Sequence, residues 1–164
     1  MASPEDITRV VLMGIGATAI MDVWLTLMKA LGVPTLNFAL VGRWVGHLCH
    51  GKFAHASIGQ AHPIQRESEL GWVTHYAVGI AFALLLACIQ GVAWLHEPTL
   101  APAIAVGAAT VAVPLFVIQP AMGAGFAAAK TPTPAKNCLR SVITHTVFGL
   151  GLYLSAVLIA WAWK

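Results

Sequence analysis

The chain has 164 residues, of which 59% are hydrophobic and only 9% charged; an ordinary soluble domain is about 25% charged. A soluble fold of this length leaves much of its area exposed and cannot hide so much apolar surface, whereas a bilayer accepts helices that are apolar all round. The net charge of +3 does not signal nucleic acid, because the nine Lys and Arg are spread singly along the chain and read as membrane-topology charges.

Glu5 and Asp6 stand where a secretory signal would carry positive charge, so the first apolar stretch is expected to remain as a spanning helix. A spanning helix takes about 20 mainly apolar residues, and four segments qualify. The first covers residues 7–31 and carries Asp22. Between it and the second lies a long connection, 32–69. Within that connection Leu40, Val41, Trp44, Val45 and Leu48 recur at helical spacing, with Arg43 and His47 off that face. This pattern predicts an interfacial or re-entrant amphipathic helix, with a loop covering the bundle as the alternative. Residues 51–65 show no periodicity. The second span covers 70–95, with His75 near its start. The third covers 100–119 and contains Pro102 and Pro114, of which Pro114 is expected to kink it. The fourth covers 139–163, with His145 near its start.

The chain also repeats itself. Thr74-His75 followed by Gly79 matches Thr144-His145 followed by Gly149 at a constant offset of 70 residues. More weakly, Gly16-Ala17-Thr18 lies over Ala108-Ala109-Thr110, and Asp22 has Pro114 as its counterpart. The expected fold is therefore an all-α integral membrane protein of four transmembrane helices, arranged as two parallel-repeat hairpins, with the amphipathic helix between helices one and two. One membrane domain spans 1–164: a first hairpin over 7–95, with 32–69 as a cytoplasmic insertion, and a second over 100–163.

Basic residues set the orientation. Lys29, Arg43, Lys52, Arg66, Lys130, Lys136 and Arg140 fall on one side, and Arg9 and Lys164 on the other. The richer side faces the cytoplasm and both termini face outward. Trp94, Trp161 and Trp163 are expected to form the outer aromatic belt, and Trp44 and Trp72 the inner one.

Ionisable groups within a membrane mostly face the bundle interior. Asp22, His75, His145 and Gln119, with the neighbouring Thr74 and Thr144, are expected to form a polar pocket in the cytoplasmic half. Three functions compete for it. One is a site for a small polar ligand or proton, with histidine as a switchable acid or base. Another is a haem b held axially by His75 and His145, with Gly79 and Gly149 letting the macrocycle approach. The third is packing, in a structural subunit of a homo-oligomer or larger membrane complex. His47, Cys49, His50, His55 and His62 could bind a metal, but their spacing matches no zinc pattern. The cysteines, Cys49, Cys88 and Cys138, form no paired motif. Gly14-Ile15-Gly16-Ala17-Thr18-Ala19 fits a dinucleotide fingerprint only formally, because no strand precedes it; its use is close helix contact. Ala101, Ala105 and Ala109 make a similar small-residue stripe. No nucleophile elbow, phosphate loop or zinc-protease motif occurs, which leans against an enzyme. The implied partner is the lipid bilayer.

Several strings carry a resemblance together: Leu36 to Trp44, Leu70-Gly71-Trp72 leading to His75-Tyr76, Gln119 to Gly125, and His145 to Tyr153. Over nearly its whole length the chain resembles a family of small bacterial inner-membrane proteins catalogued only as a domain of unknown function. The resemblance implies a bacterial inner-membrane location and four helices, and brings no activity or catalytic residues with it.

Overall fold

The computed structural model describes residues 3–163; Lys164, counted above among the outer basic residues, lies outside them. Every regular element among the described residues is helical. Helix α1, Pro4–Ala30, opens on a capping box. The Ser3 hydroxyl accepts from the Asp6 amide, and the Asp6 carboxylate accepts from the Ser3 amide at 2.7 Å. Helix α2, Phe38–Leu48, is capped by the Asn37 side chain. Helix α3 runs Glu67–Gln90, α4 runs Leu100–Met122 and α5 runs Pro134–Ala162. The four long helices have a mean hydropathy of 1.9–2.2, yet only 22–33% of each apolar window is buried. Length, composition and outward-facing apolar side chains all suit helices that cross a membrane.

Several ends differ from the sequence-based expectation, among them the start of α5, at Pro134 rather than 139. Helix α3 stops at Gln90 because Gly91 adopts φ 80°, which glycine tolerates without steric cost. A 3-10 turn, Val92–Leu95, follows and buries Trp94 and Leu95. Helix α4 extends to Met122, and Pro114 opens a five-residue π-turn, Pro114–Ile118. Proline has no N–H to give to the helix ladder, so the turn widens where the bond is missing.

The chain divides into two compact units, one made of the chain up to Pro34, Tyr76–Thr110 and the chain from Ile143, the other of Thr35–His75 and Val111–Val142. In the first, the core gathers Met13, Ala17, Leu86, Phe148 and Leu152. Backbones meet through glycine. A Cβ on Gly107 would strike Gly149, one on Gly149 would lie 2.7 Å from the Ala103 carbonyl, and one on Gly14 would lie 2.5 Å from the Ile80 Cα. Gly79 faces Thr18, and Gly151 faces Ala17. As α1 advances through Gly14, Thr18 and Asp22, its partners on α3 retreat through Ile80, Gly79 and Tyr76, so the two helices are antiparallel. By the same reading α4 is antiparallel to α5, and α1 to α5. Arg9 is not a solvated topology charge. It is buried, paired with Glu5 at 2.7 Å and stacked 4.8 Å from the Trp163 ring.

In the second unit α2 lies directly on the start of α3. A Cβ on Gly42 would strike the Glu67 carbonyl, and one on Gly71 the Phe38 carbonyl. Trp44, Ile58 and Ala121 form a small core with Leu40, Val45 and Ile118. The apolar stripe read from the sequence is thus the face that packs, at Val41 and Trp44. The tryptophan belts need correcting for the same reason. Trp44 is buried and donates to the Phe53 carbonyl at 2.7 Å, and Trp94 is buried and donates to Thr99 at 3.1 Å, whereas Trp72 and Trp161 are exposed.

The Gly107–Gly149 contact leaves no room for a methyl group. Gly107→Ala should cost about 1–3 kcal/mol, the usual penalty of overpacking. A lowered unfolding midpoint in detergent would show it, set against Gly59→Ala, whose nearest neighbour would be 3.8 Å away. Equal midpoints for the two variants would contradict the contact.

Candidate functional sites

Within the first unit, polar side chains of all four long helices are tied together in pairs. The Tyr76 hydroxyl donates to the Asp22 carboxylate at 2.9 Å, joining α3 to α1. Trp24 donates from α1 to the Thr144 hydroxyl of α5 at 3.3 Å. Thr110 lies 2.8 Å from His145 Nδ1, joining α4 to α5. The Thr110 hydroxyl also donates to the Gly107 carbonyl at 2.6 Å. Its one proton is spent there, so toward His145 it is an acceptor and Nδ1 carries the N–H. The neutral ring then keeps its lone pair on Nε2. This is the tautomer logic by which a second partner fixes the nitrogen that receives a proton or ligates a metal. Thr18 makes the matching back-bond on α1, to the Gly14 carbonyl at 2.8 Å.

The structure places the remaining members of the sequence-predicted pocket in the second unit. His75 stacks on Phe38, ring centroids 4.2 Å apart, with Trp72 edge-on at 5.9 Å. Gln119 has its side-chain oxygen buried and without a hydrogen-bond partner among the described residues. Thr74 bonds back to the Leu70 carbonyl of its own helix at 2.8 Å, unlike Thr144, which accepts from Trp24. The two repeat threonines thus have different work.

The histidines outside the spans do not assemble as a metal centre; no group of three or more His, Cys, Asp or Glu is arranged to hold an ion among the described residues. Cys49 is exposed. The His50 ring bonds the Gly46 carbonyl at 2.9 Å and the His62 ring bonds the Pro63 carbonyl at 2.8 Å. His47 and His55 do meet, with Nδ1 of the first 2.7 Å from Nε2 of the second. Two imidazoles on one tetrahedral zinc would hold their nitrogens about 3.3 Å apart, given Zn–N bonds of about 2.0–2.1 Å, so this is a hydrogen bond.

Beside that pair lies an ion pair the sequence did not reveal. Arg43 grips the Glu67 carboxylate through Nε and Nη2, both at 2.8 Å, and turns Nη1 to the carbonyls of Ile58, Gly59 and Ala61. Arg43 lies off the apolar stripe of α2 and is nevertheless mostly buried. The Glu67 carboxylate beside it raises the guanidinium pKa above its ordinary value. The fork geometry is what arginine supplies and lysine does not. Nothing in a separation of 24 residues points to this pair. Tyr76 could have been found, because a carboxylate inside an apolar helix needs a donor and Tyr76 is the phenol beside His75.

The family model described as "Protein of unknown function (DUF2938)" matches residues 11–159. The chain belongs to that family. No curated protein and no solved structure matches it.

Burial holds the His55 pKa below its ordinary 6.5, with the charges of Lys52 and His47 acting in the same direction and the Ala121 carbonyl opposing them. The folded chain therefore resists a proton that the unfolded chain accepts. Its contribution to stability is present above the ordinary histidine range and is lost as pH falls below it. The thermal midpoint should fall between about pH 7 and pH 5, and fall less in His55→Gln. The same slope in both proteins would show that His55 is not the group responsible.

Proposed function

We propose that the protein is a multi-pass membrane protein whose spans enclose a binding site for a proton or a small polar ligand, with His145 as its basic group and Asp22 as its acidic one. The observation that carries this is the Thr110–His145 bond, which commits Nδ1 as a donor and leaves Nε2 as the basic nitrogen of the neutral ring. A group built only to pack has no need of a fixed tautomer. An imidazole and a carboxylate held on separate spanning helices suit reversible protonation. The repeat supports the arrangement. Gly79 and Gly149 each sit at the helix contact within their own hairpin, and Thr18 and Thr110 each bond back to a glycine carbonyl. Asp22 with Tyr76 is where the halves differ, since their counterparts are Pro114 and Thr146.

The test is an infrared difference spectrum of the purified protein between about pH 8 and pH 3, across the ordinary histidine and carboxylate ranges. A carboxyl band missing from Asp22→Asn and imidazole bands reduced in His145→Gln are expected. A difference spectrum unchanged in both variants would remove the proton. An optical spectrum of protein from haem-replete cells tests the haem b reading. A Soret band lost in either His75→Ala or His145→Ala would replace a small ligand by bis-histidine haem.

The same reading places the protein in a bacterial inner membrane with both termini periplasmic, on the distribution of basic residues, which remains six to one when the mostly buried Arg43 and the buried Arg9 are set aside. A phosphatase fused to the C-terminus should be active outside the cytoplasm; a reporter active only inside would invert the orientation. Ala101, Ala105 and Ala109 are exposed along α4, which is what a structural subunit would offer to a neighbouring helix. Disulfide cross-linking of Ala105→Cys would reveal such a neighbour.

A further inference from the structure

We propose that His47 and His55 form one proton-binding site, in which an added proton enters at the buried Nδ1 of His55 and its charge is handed across the bridge to His47. The proposal concerns groups of the second unit alone and does not depend on the intramembrane reading.

The tautomers follow from one carbonyl. His47 Nε2 lies 3.0 Å from the His62 carbonyl oxygen, which can only accept. His47 Nε2 therefore carries the N–H, and Nδ1 of the neutral ring carries the lone pair. That lone pair faces His55 Nε2 at 2.7 Å, so His55 Nε2 is the donor. The remaining nitrogen, His55 Nδ1, is then a bare lone pair. It is buried and has no hydrogen-bond partner among the described residues. A ring serving only to hold the loop would not need to bury an unmet acceptor, which is costly. The one base left in the pair is the one kept from bulk water.

The proton balance closes without another reactant. A proton binds His55 Nδ1 and forms an N–H bond there. The His55 Nε2–H bond then breaks as that hydrogen crosses to His47 Nδ1. His55 is left neutral in its other tautomer, and His47 becomes the cation. The distance between the bridging nitrogens is at the short end of the hydrogen-bond range, which favours the crossing. The Ala121 carbonyl, which accepts the His55 backbone amide at 2.8 Å, favours the protonated His55 ring. A second proton would set two cations 2.7 Å apart, so the pair takes up only one.

The surroundings direct the charge toward His47. Lys52, on the loop after α2, and His47 itself oppose a cation on His55. Glu67, at the start of α3, lies close enough to His47 for their charges to interact, although Arg43 on α2 already pairs with it. The last turn of α4, Gln119 to Met122, brings no ionisable side chain. The rings of His50 and His62 are turned to backbone carbonyls.

Nitrogen-15 NMR of the full-length protein, labelled at histidine and held in lipid nanodiscs, tests this between about pH 8 and pH 5, across the histidine range. The His47 and His55 rings should titrate through a common midpoint, as coupled groups do. In His55→Gln the His47 midpoint should move by about half a unit or more, a roughly threefold change in proton affinity. His47→Gln should move the His55 midpoint reciprocally, and gives the same test if the first variant does not fold. Asp22→Asn should leave both rings unchanged, whatever becomes of the intramembrane site. Separate midpoints in the wild type, or a surviving ring that titrates as before, would overturn the proposal.

Discussion

Helices in a membrane gain nothing from hiding apolar surface against one another, since lipid tails are as apolar as leucine. They associate by close packing and by hydrogen bonds between helices. The contact of α4 with α5 at Gly107 and Gly149 is of the kind that would meet that constraint in helices apolar enough to span, and the polar arrangement of the first unit depends on it. With side chains absent at the crossing, the backbones approach closely enough for Thr110 to reach His145 at 2.8 Å. On the other hairpin, Gly14 and Gly79 do the same for α1 and α3, and Tyr76 reaches Asp22 at 2.9 Å. Larger residues at the glycines would part the helices and with them the bonded pairs.

Most of the polar groups obey a second constraint, which is that a buried donor or acceptor needs a partner; among the described residues, Gln119 Oε1 and His55 Nδ1 are exceptions. The hydroxyls of Thr18 and Thr110 meet it by bonding back to carbonyls of their own helix. For Thr110 this has a consequence, because a hydroxyl that has spent its proton can only accept. The histidine opposite is thereby held in one tautomer. The same logic runs through the second unit, where the His62 carbonyl sets His47 and His47 sets His55. A backbone oxygen thus determines which nitrogen of a ring eight residues away from His47 is basic.

Gly42 and Gly71 tie the second unit together in the manner of the first, by bringing α2 onto the start of α3. That contact places Arg43 opposite Glu67, and the remaining guanidinium nitrogen gathers the carbonyls of the loop 58–61. A stretch with no periodicity of its own is held by side chains of α2: Arg43 at 58–61, Trp44 at Phe53 and His47 at His62. Helical repetition cannot show this, because the bonds run to backbone oxygens, which every residue possesses.

The sequence by itself determined the number and nature of the long helices, since an apolar run of spanning length has few other structures open to it. It also marked the glycine and threonine positions along them and the helix at Val41 and Trp44. Only the tertiary structure decided what each polar group does. Asp22 was conspicuous as a carboxylate in an apolar run, but its bond to Tyr76 joins residues 54 apart. His75 and His145 share a local sequence, yet one stacks on Phe38 and the other bonds Thr110, because local identity does not specify what a neighbouring helix presents. Arg43 looked like one more topology charge and became a buried clamp. Periodicity records which face of a helix is apolar; hydrogen-bond partners are set by which backbones approach and how closely, and that is settled only when the helices pack.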